Sequence, residues 1–173
     1  MRTVTFRHLH RLREKYGPGI SGKIIQKLLA LAFCDAGFQH VVERGVQGVD
    51  IDAASCGTER YALEVKTTDG ERISISRENI EALEDRAKDG YVPLIAALRM
   101  QPLEDWLFAN IPLSQLRPGS IPFTRLRAYR VRDLETVVRA PFEAVVTQHF
   151  RGALSSGERY LSEILAQKRE GHA

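Results

Sequence analysis

The chain has 173 residues, 43% of them hydrophobic and 27% charged, with a formal net charge of +3. That balance fits one globular domain with a sizeable core and argues against a second full-sized domain. No apolar run reaches the roughly 18 residues a membrane span needs, because Ile24 to Phe33 is interrupted by Gln26 and Lys27.

Taken in chain order, Arg2, Arg7, Arg11 and Arg13 are not followed by the apolar core and cleavage site of a secretory signal, so a cytoplasmic protein is expected. Leu9, Leu12 and Tyr16 recur at helical spacing ahead of the Gly17-Pro18-Gly19 breaker, which predicts a short amphipathic helix in an N-terminal appendage over residues 1–20. Ser21 is a candidate N-cap for a helix running to Asp35, with Ile24, Leu28, Leu31 and Ala32 on its buried stripe and Gly37 just past its end. Short β-favouring runs follow: Phe38 to Glu43, Val49 to Ala54, Tyr61 to Thr67 and Arg72 to Ile75. They are separated by Gly45, Gly48, Gly57 and Asp69-Gly70, as in a meander of three or four strands.

Ser76 opens a helix to about Asp89 with Ile80, Leu83 and Ala87 in register, and Gly90 closes it. Val92 to Leu98 has the near-continuous apolar pattern of a strand covered on both faces, and Asp105 to Ile111 is another strand. The order αβββαββ over residues 21–116 predicts an α/β fold with a mixed β-sheet flanked by helices. Residues 117–173 read as a basic, mostly helical C-terminal extension packed on that core or on a dimer partner. They begin with a loop marked by Pro118-Gly119 and Pro122, followed by helices over Ala140 to Phe150 and Ser156 to Arg169. Ser155 and Glu158 form a possible capping box for the last helix, whose Tyr160, Leu161, Ile164 and Leu165 share one face. Intramolecular packing of that face is expected.

Charge is segregated along the chain. Residues 1–27 hold seven Lys/Arg against one acid, residues 28–116 eight against fifteen, and residues 117–139 six against two. Basic flanks carrying Phe6, Tyr16, Phe123 and Tyr129 are what a binder of phosphate backbones uses, and His8 and His10 could add to the front surface. Cys34 and Cys56 are too few for a disulfide framework and are not spaced for a metal, so two reduced thiols are expected. Trp106 reads as a core residue.

The stretch that carries chemistry is Gly48-Val49-Asp50-Ile51-Asp52-Ala53 followed by Tyr61-Ala62-Leu63-Glu64-Val65-Lys66. Side chains alternate along a strand, so Glu64 and Lys66 share one face while Leu63 and Val65 enter the core. A hairpin through Ser55 to Arg60 would bring Asp50 beside them. Two converging carboxylates suit a hard cation such as Mg²⁺, and an adjacent lysine amine can orient or deprotonate a water.

These residues resemble the PD-(D/E)xK nuclease superfamily, and within it the archaeal-type Holliday-junction resolvases. The likeness runs from about Gly22 to Ile111: the Gly37-Phe38 pair after the first helix, the Gly-containing loop before Asp50, the Glu64-Val65-Lys66-Thr67-Thr68 run, and the Pro93-Leu94-Ile95-Ala96 strand followed by Trp106. The resemblance implies a restriction-endonuclease-like fold and a Mg²⁺-dependent endonuclease, with Mn²⁺ as substitute. Asp50 and Glu64 would be metal ligands, the Val65 carbonyl a further ligand, and Lys66 the group that handles water. It also implies branched DNA as substrate and a homodimer.

One position departs from the pattern. Where the family commonly has an acid on the first helix, this chain has Gln26, whose amide oxygen can ligate a metal but adds no charge. Asp52, Asp35 and Glu43 are candidates to compensate, with Asp52 expected on the same face as Asp50 and so near the metal. Ser21, Lys23, Lys27, Arg11 and Arg13 are candidate contacts for DNA phosphates. A restriction- or repair-type nuclease of the same superfamily is the nearest alternative. A DNA-binding module without catalysis, marked by Gln26, is the alternative from another class.

Overall fold

The computed structural model describes residues 1–44, 48–55 and 59–170; Gly45, Cys56 and Gly57, singled out above, lie outside them. The first helix, α1, spans Thr3–Asp35, but its backbone leaves the helical conformation at Gly17 (φ 73°, ψ 172°). Pro18 then opens the second half, a place where its fixed φ fits and its missing N–H costs nothing. Ser21 is therefore not the N-cap: the helix has already begun, and its hydroxyl donates back to the Pro18 carbonyl at 3.2 Å. At the other end Gly37 takes φ 92°. Its N–H donates to the Cys34 carbonyl and that of Phe38 to the Phe33 carbonyl, both at 3.1 Å. The Phe33 and Phe38 rings meet edge-on at 4.9 Å, which completes a left-handed glycine cap with its apolar contact.

Strands β1 (His40–Glu43), β2 (Ile51–Ala54) and β3 (Arg60–Thr68) form an antiparallel run. The next strand, β4 (Arg72–Ile75), leaves this sheet, so the meander has three strands and not four. Helix α2 (Arg77–Lys88) crosses over to β5 (Val92–Arg99), which lies parallel to β3, and β6 (Leu107–Ala109) completes a five-stranded mixed sheet in the order β1-β2-β3-β5-β6. A 3-10 turn follows at Leu113–Gln115, and the segment expected as a loop holds strand β7 (Gly119–Pro122), which pairs antiparallel with β4 in a separate ribbon. Two helices follow, α3 (Phe123–Ala128) and α4 (Arg132–Glu170). The second starts earlier than expected and breaks at Gly157 (φ 59°, ψ −137°), two residues past Ser155.

Strand alternation gives the sheet two apolar faces. Ile51, Ala53, Leu63, Leu94, Ala96, Leu98 and Phe108 face α1 and α4, in one core with Leu9, Leu12, Leu28, Phe33, Val138 and Phe142. Ala62, Ile95, Ala97, Leu107 and Ala109 face α2, α3 and the β4–β7 ribbon. Residues 1–20 are thus built into the core rather than appended to it, since Leu9 and Leu12 are fully buried. Leu161 and Leu165 enter the same core, with Tyr160 and Ile164 packed at its edge. Trp106 is buried against Phe108 and Phe142. Among the described residues no helix is long and apolar enough to cross a membrane.

The feature that positions chemistry is a mismatch in strand length. Pairing between β2 and β3 ends at Ile51 opposite Leu63, whereas β3 continues beside β5 as far as Thr68 opposite Arg99. One edge of β3 beyond Leu63 is left without a strand partner on the β2 side, and a cleft opens there.

Candidate functional site

The unpaired edge of β3 leaves backbone groups that need partners. The Val65 N–H finds one in Asp50, whose Oδ2 accepts it at 2.7 Å. A strand residue projects its N–H and C=O to the same side, so the Val65 carbonyl faces the same cleft. Glu64 is only 2% exposed. Its Oε1 lies 2.8 Å from the Lys66 ammonium, as period-two alternation predicts for residues two apart. Lys66 also donates to Asn79 Oδ1 at 3.1 Å. That oxygen accepts the Ser76 N–H at 3.0 Å within the capping box that starts α2, so the helix start fixes the lysine. Asn79 was missed in the sequence, although the Ser76-x-x-Asn79 spacing carried a signal for it.

The cleft, about 490 Å³, is lined by Gly22, Lys23 and Gln26 from α1, Asp50 from the loop, Glu64 to Thr67 from β3, and Asn79. Five sequence candidates therefore come together with Lys23: Asp50, Glu64, Val65, Lys66 and Gln26. The electrostatics are those of two acids in too little water. Burial raises the Asp50 carboxyl above its ordinary range, and the charge of Glu43 adds to this, against the Val65 N–H and Lys66. Burial, followed by the charge of Asp50, pushes Glu64 up to about 7, with Lys66 opposing.

The other Glu64 oxygen, Oε2, is buried with no hydrogen-bond partner. A buried carboxylate oxygen left unpaired is costly, and beside a second carboxylate it is suited to a hard cation. These residues fit a Mg²⁺-type ion. Among the described residues no three His, Cys, Asp or Glu side chains form a group able to hold a metal ion. A cation here would have two carboxylates, Asp50 and Glu64, and its other oxygens would come from the Val65 carbonyl, Gln26 and water.

Other candidates fall elsewhere. Asp52, expected beside Asp50, is 2% exposed and committed to two arginines. Its Oδ2 takes Arg44 Nε and Nη2 at 3.0 and 2.9 Å, and Arg86 Nε reaches Oδ1 at 3.0 Å. Asp50 lies in the bend before β2, so simple alternation does not carry from one aspartate to the other. Asp35 pairs with Lys168. Among the DNA candidates, Ser21 is fully buried, and Lys27, 8% exposed, gives its ammonium to Glu43 at 2.8 Å. Arg13 is paired with Asp69, and Arg11 is exposed on the first half of α1. His8 stacks on Phe150 with ring centroids 3.9 Å apart.

No protein-family model matches this chain, and no curated protein matches it. Among solved structures it is similar to Hjc, a Holliday junction resolvase from the archaeal hyperthermophile Archaeoglobus fulgidus. The TM-score is 0.53 and the identity 20%, and the match covers 66% of this chain and 95% of that one. At that identity the likeness is one of fold, a mixed sheet flanked by helices of the resolvase type.

Proposed function

We propose that this protein is a Mg²⁺-dependent DNA endonuclease that acts on branched DNA as a homodimer, with Asp50, Glu64 and Lys66 as its catalytic set. The single observation that carries the reading is the unpartnered, buried Glu64 Oε2, on a residue that lines one cleft together with Asp50, Lys66 and Lys23. The fold shared with a Holliday junction resolvase supports the choice of substrate.

A divalent cation bound there would supply an acidified water and charge for the phosphoryl oxygens. The chain's own residues do the rest. Asp50, fixed by the Val65 N–H, and Glu64, fixed by Lys66, hold two oxygens in a set geometry. Lys66, held in turn by Asn79, places an ammonium where it can donate a hydrogen bond to the attacking water and orient it. Lys23 at the rim offers a positive charge to the DNA backbone.

The test is incubation of a labelled four-way junction and a matched linear duplex with the protein in Mg²⁺, alongside Lys66→Ala. Paired incisions in the junction, lost in the variant, are the expected result. Cutting of both substrates would point instead to a broader nuclease. Tight, salt-dependent binding with no cutting in any divalent ion would leave a binding module.

A further inference from the structure

Gln26 stands where the resembled pattern has an acid, and the structure shows what it is attached to. Its Nε2 donates to Glu43 Oε1 at 3.0 Å and approaches the Asp50 carbonyl at 3.5 Å. The second oxygen of Glu43 accepts from Lys27 at 2.8 Å. Both Glu43 oxygens are thereby engaged, and the Glu43 side chain is only 13% exposed. Glu43 is outside the cleft lining and Gln26 is inside it. The amide nitrogen is thereby engaged by Glu43 and by the Asp50 carbonyl, and the oxygen is the atom of the group that can ligate a cation.

We infer that Glu43 and Gln26 work as one unit: Glu43, itself held by Lys27, fixes the Gln26 amide so that Oε1 serves the Asp50–Glu64 pair as a neutral oxygen ligand for a divalent cation. This rests on the metal-dependent reading above and gives it a definite donor set. Glu43 is a positioning residue in this scheme and Gln26 the one that meets the ion or its water.

The unit has a consequence opposite to the simplest reading of the sequence. Restoring an acid with Gln26→Glu does not complete the site. It sets a second carboxylate about 3 Å from that of Glu43, a like-charge contact that disfavours ionisation of both. Exchanging the pair, Gln26→Glu with Glu43→Gln, keeps one amide-to-carboxylate hydrogen bond and still offers Lys27 an acceptor, now with the charge on α1.

The experiment is a calorimetric Mn²⁺ titration of the full chain in five forms: wild type, Gln26→Glu, Glu43→Gln, the exchanged double variant, and Gln26→Met. The last keeps the volume and removes the ligating oxygen. Circular dichroism at the titration temperature restricts the comparison to folded protein. Loss of an outer partner or a neutral ligand weakens metal binding by roughly 10-fold or more, which is the effect expected for each single variant. The exchanged pair is expected to bind Mn²⁺ at least as tightly as wild type. The inference is overturned if Gln26→Glu alone tightens binding, if Gln26→Met leaves it unchanged, or if the two exchanges multiply their losses. In each of those cases a wild type that binds Mn²⁺ leaves the nuclease reading standing. A wild type that binds no Mn²⁺ and cuts no DNA overturns that reading itself.

Discussion

Replacing Glu64 by Gln stabilises the metal-free protein at pH 8, even though it removes a residue placed at the centre of the site. Burial and the charge of Asp50 hold the Glu64 carboxyl at about 7 against an ordinary 4.5. In the unfolded chain it ionises near its ordinary value, so between the two values the folded protein carries the extra proton. Stability is therefore fullest at low pH and falls as pH rises through about 7. At 1.36 kcal/mol per unit the loss is about 3 kcal/mol, most of it between pH 5 and pH 8. The Gln variant does not titrate and escapes this loss, so its advantage grows with pH and reaches a Tm gain of roughly 5–10 °C at pH 8. The assay is thermal and urea denaturation in EDTA at pH 5 and pH 8. Mn²⁺ at 1,000 times its Kd reverses the order, because it adds about 4.1 kcal/mol to the wild type, more than the roughly 3 kcal/mol lost, and little to the variant. A variant less stable than wild type at pH 8 in EDTA, or a wild type whose stability is flat from pH 5 to pH 8, would refute the reasoning.

Lys66→Met removes the ammonium 2.8 Å from Glu64; cleavage should fall roughly 100-fold or more while Mn²⁺ binds no more weakly, as single-turnover cleavage and titration would show. Asp52→Ala leaves Arg44 and Arg86 without their buried partner, at a cost of roughly 2–4 kcal/mol in urea denaturation, but Mn²⁺ affinity of the folded protein stays the same because Asp52 is outside the cleft. Lys23→Gln should lower DNA affinity and reduce the salt slope by roughly 1. Ser21→Ala should leave both unchanged, its hydroxyl being turned to the Pro18 carbonyl; fluorescence anisotropy over a salt series separates the two.

Local signals were legible where the structure depends on local chemistry. The Gly17-Pro18 break, the Gly37 cap, the strands around Asp50 and Glu64 and the Ser76 helix start all follow from residues close in sequence. What was not legible depended on long-range packing. The stripe assigned to α1 assumed a solvated outer face, yet Ile24, Ile25 and Leu28 to Phe33 are all fully buried because α4 covers the side turned away from the sheet. Ser21 and Lys27 were drawn inside with them. Strand β4 reads like its neighbours, and only its pairing with β7, more than forty residues on, removes it from the sheet. That partner was hidden by Gly119 and Pro122, residues that weaken a strand signal. The Gln26–Glu43 contact joins a helix to a strand 17 residues away, and no spacing rule announces it.

The most direct test of the account is a crystal structure grown with Mn²⁺, read through its anomalous difference map. A peak is expected between the Asp50 and Glu64 carboxylates and the Val65 carbonyl, at the roughly 2.1 Å distances of a hard octahedral ion. Density for Glu64 Oε2 still unpartnered in saturating Mn²⁺, with the ion elsewhere or absent, would contradict it.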